Sequence, residues 1–188
     1  TEKDQWGNEF CFVVNGVKIF AMGANYIPQD NILSRVSREG TEKLIQNCVQ
    51  ANFNCLRIWG GGYYPEDYFF DLCDEYGLLI WQDLMFACNI YVLTPEFEEN
   101  IIAEVRDNVR RIRHHACLAL WCGNNEMEMG WVEWEDVYRH SLKLKADYIK
   151  HFEYILPRVI KECDPNTFYW PASPSSTGSF DNPNDENR

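Results

Sequence analysis

No Cys-x-x-Cys pair occurs among the eight cysteines of the 188-residue sequence, nor any grouping of cysteine and histidine at zinc spacing. That argues against a metal centre, and nothing else in the chain calls for a cofactor. Cys11, Cys55, Cys117 and Cys122 fall in predicted strands, and Cys48, Cys73 and Cys163 in or at the end of predicted helices. They read as small buried apolar residues rather than a disulfide framework, and this usage fits a reducing, cytoplasmic setting. Basic residues are scarce: 17 Lys and Arg face 29 Asp and Glu, for a net charge of -12, and no basic cluster forms. Nucleic acid and anionic membrane surfaces are therefore poor partners. No apolar run approaches the roughly 20 residues of a membrane span, and the opening TEKDQWGNEF lacks the pattern of a signal peptide. A dinucleotide-binding glycine turn is missing too, because Gly60-Gly61-Gly62 has the wrong spacing.

What is present is a regular alternation of strands and amphipathic helices. Phe10 to Val14 and Val17 to Met22 flank Asn15-Gly16 as a β-hairpin whose second arm runs on into Gly23-Ala24-Asn25. A helix is expected from Glu39 to Ala51, a strand over Asn54 to Trp59, and a second helix opened by Pro65 and closed by Gly77. Leu78 to Asp83 forms the next strand, and Thr94-Pro95 caps a long helix reaching His114, with arginines in its last turns. Cys117 to Cys122 is the fourth strand, Leu142 to Glu162 the fourth helix, and Thr167 to Pro171 the fifth strand.

Repeated βα units imply a parallel sheet. Polar groups end successive strands, with Asn25, Trp59, Asp83, and then Asn125 and Glu126. A doubly wound sheet gathers its ligand groups at one switch point, whereas a (β/α)8 barrel draws on many strand ends, so the barrel is favoured. About four and a half units are present where a barrel needs eight. The expectation is the N-terminal half of a TIM barrel over residues 1–170, preceded by a short β-hairpin, with 171–188 as a loop or disordered tail. Such a piece leaves strand edges and apolar inner faces uncovered and would tend to self-associate.

Chemistry concentrates in CLALWCGNNEMEMGWVEW, residues 117–134. An apolar strand stops at Gly123 and delivers Asn124, Asn125 and Glu126 at its C-terminal end, with Trp131 and Trp134 just downstream. A carboxylate, an amide and flat aromatic faces suit the protonation of a bond in a sugar. Glu128, Glu133 and Glu135 look like a solvated acidic loop and are not assigned as a nucleophile. Trp81 and Trp121 lie inside strands and read as core.

The segments FVVNGVKIFAMGANYIPQD, NCLRIWGGGYYPEDYFFDLCDEYGLLIWQDLMFAC and ALWCGNNE resemble, in that order, the catalytic domain of family 2 glycoside hydrolases of the β-mannosidase branch. The likeness runs from Phe10 to Trp170. It implies a retaining exo-hydrolase of terminal β-mannosides, acting on oligosaccharides, with Glu126 as general acid/base and Asn125 on the sugar's 2-hydroxyl. Trp59 would line the sugar subsite, and Trp134 or Trp131 would form another wall, Trp134 being preferred. Asp83 remains open between a sugar contact and a buried structural hydrogen bond. A retaining glycosidase needs a second carboxyl about 5 to 5.5 Å from the first. The family draws that nucleophile from a late barrel strand, and no residue of this sequence corresponds to it. The expectation is thus a fragment that turns over little or nothing alone. Other specificities of the same family, such as β-galactosidase, β-glucuronidase or exo-β-glucosaminidase, are the alternatives, and a non-catalytic carbohydrate-binding half-barrel is a further one.

Overall fold

The computed structural model describes residues 3–5, 9–134 and 141–175. Asn15 and Gly16 both take positive φ, 51° and 80°, which matches the turn twist to that of the flanking strands. They join β1 (Phe12–Val14) to β2 (Val17–Ile19) in a two-stranded antiparallel ribbon. The second arm does not run on as expected. It ends at Ile19, and a separate strand, β3 (Gly23–Tyr26), begins the main sheet. Asn54 holds the break: its side chain accepts from the Met22 N–H at 2.8 Å and donates to the Phe20 carbonyl at 3.0 Å, supplying partners where pairing stops. At Gly23 any side chain would collide with the Cys55 carbonyl, 1.7 Å from a Cβ, so only glycine lets the two strands meet there.

Five parallel strands follow in strict chain order: β3, β4 (Cys55–Ile58), β5 (Leu79–Asp83), β6 (Leu118–Cys122) and β7 (Phe168–Trp170). A doubly wound sheet would reverse its order partway. Sequential order is that of a barrel, and the fold is the first four and a half units of one. Helices α1 (Arg38–Gln50), α2 (Asp67–Tyr76) and α3 (Pro95–Ile112) cover the outer face. Local chemistry sets their ends. Ser37 accepts from the Gly40 N–H at 3.1 Å and Thr94 from the Phe97 N–H at 3.2 Å, while Gly77 stops α2 at φ 72°. Pro65 lies two residues before the first helical residue of α2 rather than inside it. Between helices and sheet lies the core, in which Ile45, Phe69, Phe70, Val105, Val109 and Ile112 meet Leu56, Ile58, Ile80 and Trp121.

After β6 the loop expected around Glu128 and Glu133 is instead a helix, α4 (Met127–Glu133), started by the Asn124 side chain accepting from the Met127 N–H at 3.1 Å. The expected acidic loop is corrected with it. Glu128 is fully buried at 0 % exposure, Glu133 is exposed, and Glu135 lies outside the described residues. The fourth long helix is α5 (Leu142–Ile149), a π-helical stretch Lys150–Ile155, and α6 (Leu156–Cys163). The widening precedes Pro157, whose ring would otherwise strike the carbonyl of residue 153 and which offers no N–H to it. Of the cysteines, all free, Cys55, Cys73, Cys117, Cys122 and Cys163 are buried as expected, whereas Cys48 is half-buried, and Cys11 on the ribbon and Cys88 after β5 are exposed.

The inner face carries Arg57, Trp81, Leu120 and Phe168 side by side in register. Phe10 leans onto it, its ring centroid 6.2 Å from that of Trp81 and 5.6 Å from that of Trp170. Grooves run along both sides of Phe10, one lined by Phe12, Ile19 and Trp81, the other by Val13, Leu120 and Phe168. Neither reaches Glu126.

Candidate active site

Four strand ends converge on one cluster. Arg57, from an otherwise apolar strand, is a charge that must find a partner. It donates to Asp83 from Nε at 3.2 Å and from Nη2 at 2.8 Å, a two-point grip that also fixes the plane of the guanidinium. Asp83 is fully buried. It accepts further hydrogen bonds from the Gly60 N–H at 3.0 Å and the Trp81 indole N–H at 2.9 Å. Burial pushes its carboxyl up, and the Arg57 charge and the three donating residues pull against that. Both Asp83 oxygens are thus occupied by donors of the protein itself.

Arg57 Nη2 also donates to Asn125 Oδ1 at 2.8 Å, and Asn125 is 5 % exposed. The backbone of Asn125 extends the sheet past β6: its N–H donates to the Phe86 carbonyl at 3.0 Å and its carbonyl accepts from the Cys88 N–H at 3.0 Å. On the other side the Glu126 N–H donates to the Ser173 carbonyl at 3.1 Å, and the Ser173 N–H donates to the Asn124 carbonyl at 3.0 Å. The first residues of the expected tail are thus tied to the site, while 176–188 lie outside the described residues. Asn124 is wholly buried, its amide donating to the Tyr148 hydroxyl at 3.3 Å and the Pro171 carbonyl at 3.0 Å. Adjacent asparagines therefore do different work: Asn124 is spent on the scaffold, and Asn125 faces the site.

Glu126 sits at φ 60°, ψ 8°, a left-handed conformation that lifts its half-buried side chain away from the α4 axis. Its Oε2 lies 3.4 Å from the Cys88 thiol, which in turn accepts from Asn125 Nδ2 at 3.1 Å. Burial, and after it the bond to the Glu126 carboxylate, push the Cys88 thiol up, so it stays protonated at neutral pH. Trp59 is half-buried, its indole folded across Gly61, where a Cβ would come within 2.0 Å of the ring. Trp131 lies in the core at 9 % exposure, against Tyr148, while Trp134 is half-buried at the end of α4 with its ring over Gly130. The arrangement joins Arg57, Asp83 and Asn125 to Glu126.

Three members of the cluster were not assigned from the sequence. Arg57 had a signal in being a charge within a buried strand. Trp81 was read as core, yet its indole braces Asp83. Cys88 lies in the irregular segment after β5 and had none.

Parallel strands in chain order, with a carboxylate and its supports at their C-terminal ends, define the N-terminal portion of a (β/α)8 barrel. No protein-family model matches the chain. Over 182 residues it is 41% identical to β-mannosidase B of Neosartorya fischeri, a match covering 93% of this chain and 22% of that protein. The crystal structure of β-D-mannosidase from Dictyoglomus thermophilum superposes with a TM-score of 0.86 at 35% identity, over 95% of this chain and 22% of that one. A Bacteroides uniformis β-glucuronidase, at TM-score 0.67 and 17% identity over 82% of this chain and 19% of that one, shares the fold alone. The likeness to β-mannosidases read from the motifs thus extends over nearly the whole chain, which spans about a fifth of their length.

Proposed function

We propose that the protein carrying this chain is a retaining exo-β-mannosidase that removes terminal mannose from β-linked oligosaccharides. Glu126 is its general acid/base, protonating the leaving oxygen and later deprotonating water. Asn125 donates to the sugar's 2-hydroxyl from Nδ2. Trp59 and Trp134 supply the apolar walls, Trp131 being buried in the core against Tyr148, and Asp83 acts through Arg57. The nucleophile belongs to sequence outside these 188 residues. The observation that carries the reading is the position of Glu126: a half-buried carboxylate at the end of β6, beside an asparagine locked by a buried ion pair, in a chain like β-mannosidases.

The test is a panel of nitrophenyl β-glycosides, hydrolysed by a form as long as the relatives. The mannoside should be cleaved best, with retention at the anomeric carbon, and Glu126→Gln should lower kcat by about 10² to 10⁴. Preference for the glucuronide or galactoside, or full activity in Glu126→Gln, refutes the proposal.

A further inference from the structure

Besides the turn asparagines Asn15 and Asn52, two non-glycine residues among those described adopt positive φ, namely Cys88 at 47° and Glu126 at 60°. Asparagine tolerates that region; cysteine and glutamate are strained in it. These two strained residues come from different strand ends and touch through their side chains.

The hydrogen bonds linking them run in a forced direction. A guanidinium only donates, so the Asn125 group facing Arg57 must be Oδ1, as the 2.8 Å contact has it. The Asn125 amide nitrogen must then face the Cys88 sulfur, 3.1 Å away, and the sulfur is the acceptor there. That leaves the thiol hydrogen for Glu126 Oε2 at 3.4 Å. The chain begins at the buried Asp83, which holds Arg57, so it cannot reverse.

We infer that Cys88 is a positioning residue for Glu126, donating from its thiol to Oε2 so that Oε1 carries the proton delivered to the leaving group. This rests on Glu126 being the acid/base. The thiol occupies one carboxyl oxygen as an acceptor, which confines the transferable proton to the other and fixes the side-chain rotamer of the acid. Substrate binding draws Asn125 Nδ2 toward the sugar's 2-hydroxyl, and Cys88 keeps its second contact, to Glu126, while the first is exchanged.

The experiment compares two mannosides on a form as long as the relatives. One has a leaving group that needs protonation, such as a methyl or mannosyl group, and one has dinitrophenolate, which does not. In Cys88→Ala, kcat/KM on the first should fall about tenfold, as for loss of one hydrogen bond to a charged group. On the second it should fall less than about twofold, since acid assistance contributes little there. Cys88→Ser keeps a hydroxyl that both donates and accepts, and should recover most of the loss. Equal losses on both substrates, no loss on either, or a serine variant no better than alanine overturns the assignment. Glu126→Ala is measured alongside. If it lacks the same leaving-group selectivity, the acid/base reading fails and the role of Cys88 falls with it; if it has that selectivity and Cys88→Ala does not, only the role of Cys88 falls.

Discussion

His151 is a buried base without a use for a proton. It lies in the π-helical stretch at 2 % exposure, its ring centroid 4.6 Å from that of Phe86 and 4.1 Å from that of Phe152, and its Nε2 has no hydrogen-bond partner among the described residues. Burial pushes its pKa from 6.5 down to about 3. The unfolded chain binds a proton here below about pH 6.5 and the folded chain does not until far lower, so stability falls as pH drops through that interval. At about 1.4 kcal/mol per pH unit, lowering pH from 7 to 5 should cost about 2 kcal/mol through this residue alone.

Asp74 and Asp164 act elsewhere. Burial raises both, but hydrogen bonds outweigh it and hold them below the ordinary 3.8: from His115 and the Cys117 N–H to Asp74, and from Thr167 and the Trp121 indole to Asp164. Their contributions are lost only as pH falls through those lower values. Glu104, Glu153 and Asp83, raised chiefly by burial, oppose the histidine slope. The informative quantity is therefore a difference. Urea unfolding of the natural chain and of His151→Phe at pH 7 and pH 5 should show a pH-dependent loss that is about 2 kcal/mol smaller in the variant. Equal losses in the two proteins would refute the reasoning. The effect should reach the site, because Phe86 packs on His151 and its carbonyl accepts from the Asn125 N–H.

Replacing Arg57 by alanine should cost about 3 to 5 kcal/mol in urea unfolding, because Asp83 would remain buried without its countercharge. Arg57→Ala with Asp83→Asn should recover part of that loss, and independent, additive costs would contradict a buried pair. The 188-residue chain alone should hydrolyse no β-mannoside and should elute in size-exclusion chromatography above its monomer mass, since Phe10 and Phe168 are 54 % and 53 % exposed on the inner sheet face. A monomer that melts in one cooperative transition would refute the second expectation.

The alternation of elements was legible because it depends on near-neighbour signals: the Asn15-Gly16 turn, the Thr94 cap, the stop at Gly77, and the period of apolar residues in α1 to α3. Strand-end placement of Asn125 and Glu126 followed from the apolar run that precedes them. Boundaries were less legible where a distant side chain decides them. Asn54 ends the β2 arm from 32 residues away, and Asn124, which starts α4, is itself held by the Tyr148 hydroxyl and the Pro171 carbonyl, 24 and 47 residues further on. Acidic residues in α4 look alike in sequence, yet Glu128 is inside and Glu133 outside, because helical phase against the core separates them.

The sequence by itself determined a parallel β/α sheet and which strand ends carry polar groups, since both are written in local periodicity and in where each apolar run stops. Only the tertiary structure decided that Arg57, Asp83, Cys88, Asn125 and Glu126 form one directed hydrogen-bond chain. The outermost of those residues lie 69 positions apart, and their meeting depends on strand register. A shift of one residue in β4 or β5 would turn Arg57 or Asp83 to the opposite face of the sheet.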